Sequence, residues 1–153
     1  MGKFTNLTLV LTTVFVLAVL SSCKKEEEKA VYIAKVDKKL FLAGQTSKNW
    51  QINKFISGGR DKTNTIPLCE VDDLKTFFVD TRYHENPNEF LCDTINDQLE
   101  IGRWSFSNNE QMLNLTINNE TTTAEIQALT ATSLVLKTYS QGVSEEYYYI
   151  PRD

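Results

Sequence analysis

Beyond residue 46, apolar and polar side chains alternate with a period of two, and that pattern restricts the chain to sheet. Leu113, Leu115 and Ile117 alternate with Met112, Asn114 and Thr116. Ala124, Ile126 and Ala128 alternate with Glu125 and Gln127, and Leu134 and Leu136 face opposite to Val135 and Lys137. A pleated strand sends successive side chains to opposite faces, so these segments read as half-buried strands. Enrichment in Thr, Tyr, Phe and Ile agrees.

Turn-forming residues divide the runs at Ser57-Gly58-Gly59, Asn86-Pro87-Asn88, Ser107-Asn108-Asn109, Asn118-Asn119 and Gln141-Gly142. Gly, Asn and Pro tolerate or preset turn dihedrals. The strands expected are 47–57, 74–83, 89–93, 99–107, 110–118, 120–129, 133–140 and 144–150. Connections of a few residues make neighbours pair antiparallel as a meander. Eight short strands leave two open edges or close on themselves, and closure removes the edges. The expected fold is therefore all-β, an antiparallel meander closing into a roughly eight-stranded barrel. Asp37–Thr46, with Leu40, Phe41 and Leu42, is the one plausible helix, short enough to cap or precede the barrel.

Residues 1–22 read as an export signal, with basic Lys3, the apolar run Leu7–Leu20 and small residues before a cut. That run is 14 residues long and interrupted by Thr8, Thr12 and Thr13. A membrane-spanning helix takes about 20 apolar residues, so a signal peptide is the better reading. Leu20-Ser21-Ser22-Cys23 resembles a bacterial lipobox, in which Cys23 is acylated and becomes the first residue of the mature chain. Two or more acyl chains hold a protein at a membrane where one does so only marginally. Residues 23–36, with the run Lys24-Lys25-Glu26-Glu27-Glu28-Lys29, are expected to form a solvated tether before a domain at 37–153. The run also resembles the short signal of Bacteroidota lipoproteins exported to the cell surface; a plain spacer is the alternative. The location expected is the outer membrane, by lipid anchor.

Removing residues 1–22 removes Lys3 alone among charged residues, which leaves 15 basic against 20 acidic side chains and a net charge of −5. No basic cluster provides a footprint for nucleic acid. With Cys23 acylated, Cys69 and Cys92 remain, an even number in an oxidising compartment, and a disulfide is expected. Closing that loop stabilises by about 3 kcal/mol on the chain-entropy account. Two free thiols forming a redox or metal pair is the alternative, supported by neither a C-x-x-C spacing nor paired histidines.

Leu42-x-Gly44, Trp50-x-Ile52, Cys69-x-x-Asp72-Asp73, Phe77-x-x-Asp80-x-x-Tyr83, Cys92 and Gly102-x-Trp104-x-Phe106 follow one another in that order. This series resembles the lipocalin-like lipoproteins of Bacteroidota over most of residues 40–150. The resemblance implies a lipocalin-like barrel, with no firm activity and no catalytic residues. Thr81 stands where that family usually has Gly, so the reversal is expected at Asn86-Pro87-Asn88 instead.

His84, the only histidine, sits beside Glu85, Asn86 and Pro87 and reads as an exposed hairpin end rather than a catalytic base. One histidine makes a poor zinc site, which takes three or four protein ligands. Glu70, Asp72 and Asp73 offer oxygens but lie in no D-x-D-x-D-G loop. No enzyme, metal or cofactor is expected. Trp50, Phe77, Tyr83, Trp104 and Phe106 either fill the core or line a cavity for one small apolar or weakly polar ligand. Tyr147 and Tyr149 share a face and Tyr148 takes the other, so one tyrosine is expected at the surface, where a protein partner is the rival to a small ligand. Asp93-Thr94-Ile95 matches a triplet on which exported Bacteroidota proteins are O-glycosylated at the threonine, here Thr94.

Overall fold

The computed structural model describes residues 37–92 and 98–153. The chain runs α1 (Lys38–Ala43), β1 (Ser47–Ser57), β2 (Arg60–Asp61), a 3-10 turn (Thr63–Thr65), α2 (Leu68–Val71), β3 (Leu74–Phe78), β4 (Arg82–Asn86), β5 (Glu100–Ser107), β6 (Met112–Ile117), β7 (Glu120–Leu129), β8 (Leu134–Ser140) and β9 (Val143–Arg152). All strands pair antiparallel in the order β2-β1-β3-β4-β5-β6-β7-β8-β9, and β1 also pairs with β9. Eight of them thus close into a barrel, with the two-residue β2 as an extra hairpin on β1. Closure rests on a long ladder, from Asn49 opposite Arg152 to Ser57 opposite Glu145.

Local chemistry sets the hairpins. Gly58-Gly59, Asn118-Asn119 and Gln141-Gly142 each form a two-residue loop with both φ angles positive. That is the type I′ geometry whose twist matches the flanking strands. The expected turns therefore hold at those positions.

The stretch around Cys92 departs from expectation. The 74–83 segment is two strands, because the chain reverses at Phe78–Thr81, where the Thr81 N–H donates to the Phe78 carbonyl at 3.0 Å. Thr81 adopts φ 73° itself, a conformation costly for a β-branched residue. Three bonds hold it there: its own carbonyl accepts the Trp104 N–H at 2.9 Å, and Asp80 accepts from the Arg82 N–H (3.2 Å) and Nε (2.8 Å). Asn86-Pro87-Asn88 is accordingly not the reversal, and Glu89–Cys92 is not a strand. The Asp72 carboxylate accepts the Glu89 and Phe90 N–H groups at 2.9 and 3.0 Å and holds that segment as a loop. The Cys69–Cys92 disulfide forms with 5.1 Å between Cα atoms, tying α2 to the same loop rather than joining two strands.

A bulge between Ile126 and Ala128 breaks the alternation read for β7: Ala124 and Ile126 face the interior, but Leu129 takes the next inward place instead of Ala128. A matching bulge between Ile52 and Lys54 turns Phe55 inward opposite Tyr147.

One end of the barrel is plugged. Asp37 caps α1 by accepting the Leu40 N–H at 3.2 Å, and Gly44 (φ 65°) ends it. The helix buries Leu42 and Ala43, and the Trp50 indole N–H donates to the Leu42 carbonyl at 2.8 Å. Lys48 donates to the Phe41 (3.1 Å) and Ala131 (2.6 Å) carbonyls with its ammonium 4.2 Å from the Trp50 ring, linking α1 to the β7–β8 loop. Trp50, Phe77, Tyr83, Trp104, Leu113 and Leu134 pack beneath this plug. Each fully buried aromatic or aliphatic chain contributes about 1.5–3 kcal/mol before entropy is counted.

Candidate functional site: a cavity at the open end of the barrel

The other end, reached by the C-terminal ends of β1, β4, β6 and β8, carries the long connections β1–β3 and β4–β5. A cavity of about 530 Å³ opens there. Ile52, Phe55, Leu115, Leu136, Tyr147 and Tyr149 form its apolar wall, and Ile66 and Pro67 overhang it. They converge because all the strand residues among them occupy inward positions: Ile52 pairs with Tyr149, Phe55 with Tyr147, and Leu136 with Tyr147 across the next ladder. Phe55 and Tyr147 stack with ring centroids 4.8 Å apart.

The polar groups of the wall are Thr65, Glu70, Asp73, Lys75, Glu85, Thr122 and Thr138. Lys75 and Glu85 face each other on paired strands and form an ion pair with side chains 21 % and 29 % exposed. Tyr83, two residues from Glu85, donates its hydroxyl proton to Glu85 Oε2 at 2.7 Å and accepts from Lys75 Nζ at 3.2 Å. Burial opposes charge on Glu85, but the Lys75 ammonium and both hydrogen bonds outweigh it and hold the carboxyl below its usual value. Burial alone would lower Lys75; its bonded neighbours Tyr83 and Glu85 overcome this and push it up. Both groups stay charged at neutral pH. Burial and the Glu145 carboxylate, 2.9 Å from its hydroxyl, push Tyr147 up to about 12, with Glu70 adding to the shift.

A second opening of about 340 Å³, lined in part by Glu100, Ile117 and Glu120, shares Lys75, Glu85, Leu115 and Thr122 with the first. The ion pair therefore sits where the two openings meet. The disulfide fixes one lip, since Cys69 lies between overhanging Pro67 and mouth-lining Glu70.

Of the two places open to the aromatic set, core or cavity wall, these residues take the core. Trp50, Phe77 and Tyr83 are completely buried, Trp104 is nearly so, and Phe106 packs against the same cluster. Phe77, Tyr83, Trp104 and Phe106 pack edge to face or tilted at 5.2–6.2 Å, which makes them the solid half under the plug. Of the five, only Tyr83 reaches the site, through its hydroxyl on Lys75 and Glu85.

His84 is not a hairpin end but lies within β4, half-buried against Phe78 at 4.7 Å between ring centroids. Tyr147 and Tyr149 do share the inward face, and Tyr148 takes the outer one. None of the three is exposed: Tyr148 donates to Glu146 at 3.0 Å and sits 5.5 Å from the Lys54 ammonium. Asp72 is committed to the Glu89–Phe90 backbone, while Glu70 and Asp73 belong to the cavity. Cys23 and Asp93-Thr94-Ile95 lie outside the described residues.

Residues 75 and 85 escaped the sequence reading although a signal was present. Each stands two positions from a fully buried aromatic, Phe77 and Tyr83, and period two puts both on the interior face.

A closed eight-stranded antiparallel barrel, filled at one end and hollow at the other, is a lipocalin-type calyx. The family model of the lipocalin-like domain matches residues 46–136, and the chain belongs to that family. No curated protein matches it. Among solved structures it is similar to a lipocalin-like protein from Bacteroides uniformis, at 14 % identity and TM-score 0.45 over 72 % of this chain and 97 % of that one. It is also similar to an uncharacterized protein from Bacteroides eggerthii, at 9 % identity and TM-score 0.47 over 68 % and 97 %.

Proposed function

We propose that this chain is a lipid-anchored binding protein of the cell envelope whose barrel takes one small, largely apolar ligand through its open end. The observation that carries the reading is the cavity of about 530 Å³, whose wall is mainly aliphatic and aromatic with four charged and three threonine side chains among them. Small-molecule sites run from about 300 to 1,000 Å³ with that kind of lining.

Thr122 lines both openings and is itself exposed, so Thr122→Trp fills the entrance while sparing the core. Calorimetric titration of the full-length protein with 4-phenylbutanol should show one site, weakened at least tenfold in Thr122→Trp with an unchanged circular dichroism spectrum. Equal binding by both proteins, or by neither, contradicts the cavity as the binding site.

Anchoring rests on the lipobox-like Leu20-Ser21-Ser22-Cys23. Cys23→Ala should abolish labelling by radioactive palmitate and move the chain from the membrane fraction to the soluble one. Labelling that survives the substitution contradicts the assignment of Cys23.

A second reading, a surface module that recognises a protein, is favoured by the apolar Leu68, Phe90, Leu91 and Leu99 exposed on the segments flanking the disulfide. Crosslinking on intact cells separates the two, since only this reading requires a reproducible partner lost in Leu68→Asp.

A further inference from the structure

We propose that the cavity selects an organic cation with an apolar or aromatic body, a protonated or quaternary amine, over neutral and anionic molecules of the same body. This rests on the barrel being a ligand-binding calyx and names the class of ligand that its wall fits.

The charges of the wall are unbalanced. Glu70 and Glu85 line the main opening, and Glu100 and Glu120 line the second. Lys75 is the one cation among the described residues of either lining. Its charge is already used: its ammonium is bound to Glu85, whose other oxygen accepts from Tyr83, and it also donates to the Tyr83 hydroxyl. An anionic ligand would have to pull Lys75 away from Glu85 and leave that carboxylate uncompensated at the cavity floor, which is costly. A cation meets no such conflict. It enters past Glu70 and the carboxylates of the second opening, whose fields are stronger over the apolar wall than in bulk water.

The walls add a second, independent preference. Phe55, Tyr147 and Tyr149 line the cavity, the first two stacked on one another, and an aromatic ring attracts a cation within about 6 Å of its centroid. The chain already makes such contacts elsewhere, with Lys48 at 4.2 Å from Trp50 and Arg82 at 4.5 Å from Phe78. The Tyr147 hydroxyl donates to Glu145 at 2.9 Å, so the ring next to the mouth carries a carboxylate beside it. Burial is the first cause of the raised pKa of Tyr147, and the Glu145 and Glu70 carboxylates add to it. A charged amine with a hydrocarbon body therefore meets aromatic faces for its body and an acidic rim for its head.

The test uses three probes with one body: 4-phenylbutylammonium, 4-phenylbutanol and 4-phenylbutanoate, titrated calorimetrically into the full-length protein at low and high salt. The ammonium should bind at least about tenfold more tightly than the alcohol, and the carboxylate more weakly than both. Raising the salt should narrow the gap, because rim charges are screened. Glu70→Gln, at an exposed mouth position, should reduce the ammonium-to-alcohol ratio about threefold, as loss of one exposed charge pair does. If the alcohol matches the ammonium, or the carboxylate binds best, the cation preference is overturned while the binding calyx stands. If none of the three binds, the calyx reading fails with it.

Discussion

Lys75→Met should destabilise the barrel by about 3 kcal/mol, the lower end of the range for breaking a buried ion pair, because the cavity leaves 21 % of the Lys75 side chain exposed. The cost comes from what stays behind. Glu85 keeps its position among apolar walls and its Tyr83 bond, but loses the ammonium that compensated its burial. Urea unfolding at pH 7 reads the loss as a lower midpoint. Lys75→Met with Glu85→Met in one chain should recover most of it, since two apolar chains of similar length leave no orphaned charge.

The pH dependence has a defined sign. Glu85 is held below its ordinary value, so its contribution is present above the unfolded carboxyl value of about 4.3 and is lost as pH falls through the folded one. Lys75 is raised, so its contribution is present below about 10.4 and is lost as pH rises through the folded value. The difference between wild type and Lys75→Met should be greatest between those limits and shrink in acid. A difference that is constant from pH 3 to pH 7 contradicts the ion pair as its source.

Gly102→Ala should cost about 3 kcal/mol or more and lower the melting temperature by about 10 °C or more. Gly102 sits on β5 opposite Tyr83 on one side and Ile117 on the other. A Cβ there would stand 2.2 Å from the Thr116 carbonyl oxygen and 2.8 Å from Ile117 Cγ1. The first of these is backbone in a paired strand, so relief requires β5 and β6 to part. The residue is needed for space rather than for an unusual dihedral. Thermal unfolding followed by circular dichroism decides it: a melting temperature within about 2 °C of wild type contradicts the close approach of the two strands.

The sequence was most legible where one principle acted alone. Period-two alternation located β5 to β9, and paired positive-φ residues placed three of the tight turns. Alternation also tells the inner face from the outer one. It does not tell how far along the barrel axis a residue sits, and that coordinate separates Trp50 and Phe77 in the packed half from Tyr147 and Leu136 in the hollow one. Alternation therefore assigned the aromatics of the early strands to the inner face and left the choice between core and cavity wall open.

Thr81 shows the limit of local propensity. A β-branched residue argues against a left-handed turn, yet a tertiary bond from Trp104 and the local Asp80–Arg82 pair impose one. The same competition moved Cys92 off a strand, because the Asp72 side chain takes the backbone N–H groups that a strand partner would have used. Charged residues at inward positions mislead in the opposite direction: Lys75 and Glu85 look like surface until each is seen to solve the other's burial.

We propose that the barrel is a half-filled calyx that takes a molecule the chain does not itself supply. Mass spectrometry of full-length protein isolated from its own cells tests it most directly, by comparing native and denaturing conditions. Covalent lipid stays in both spectra, whereas a cavity ligand is lost on unfolding. We predict a native mass exceeding the denatured one by a single small molecule per chain, and no such difference for Thr122→Trp. Identical native and denatured masses for the wild-type chain would contradict the account.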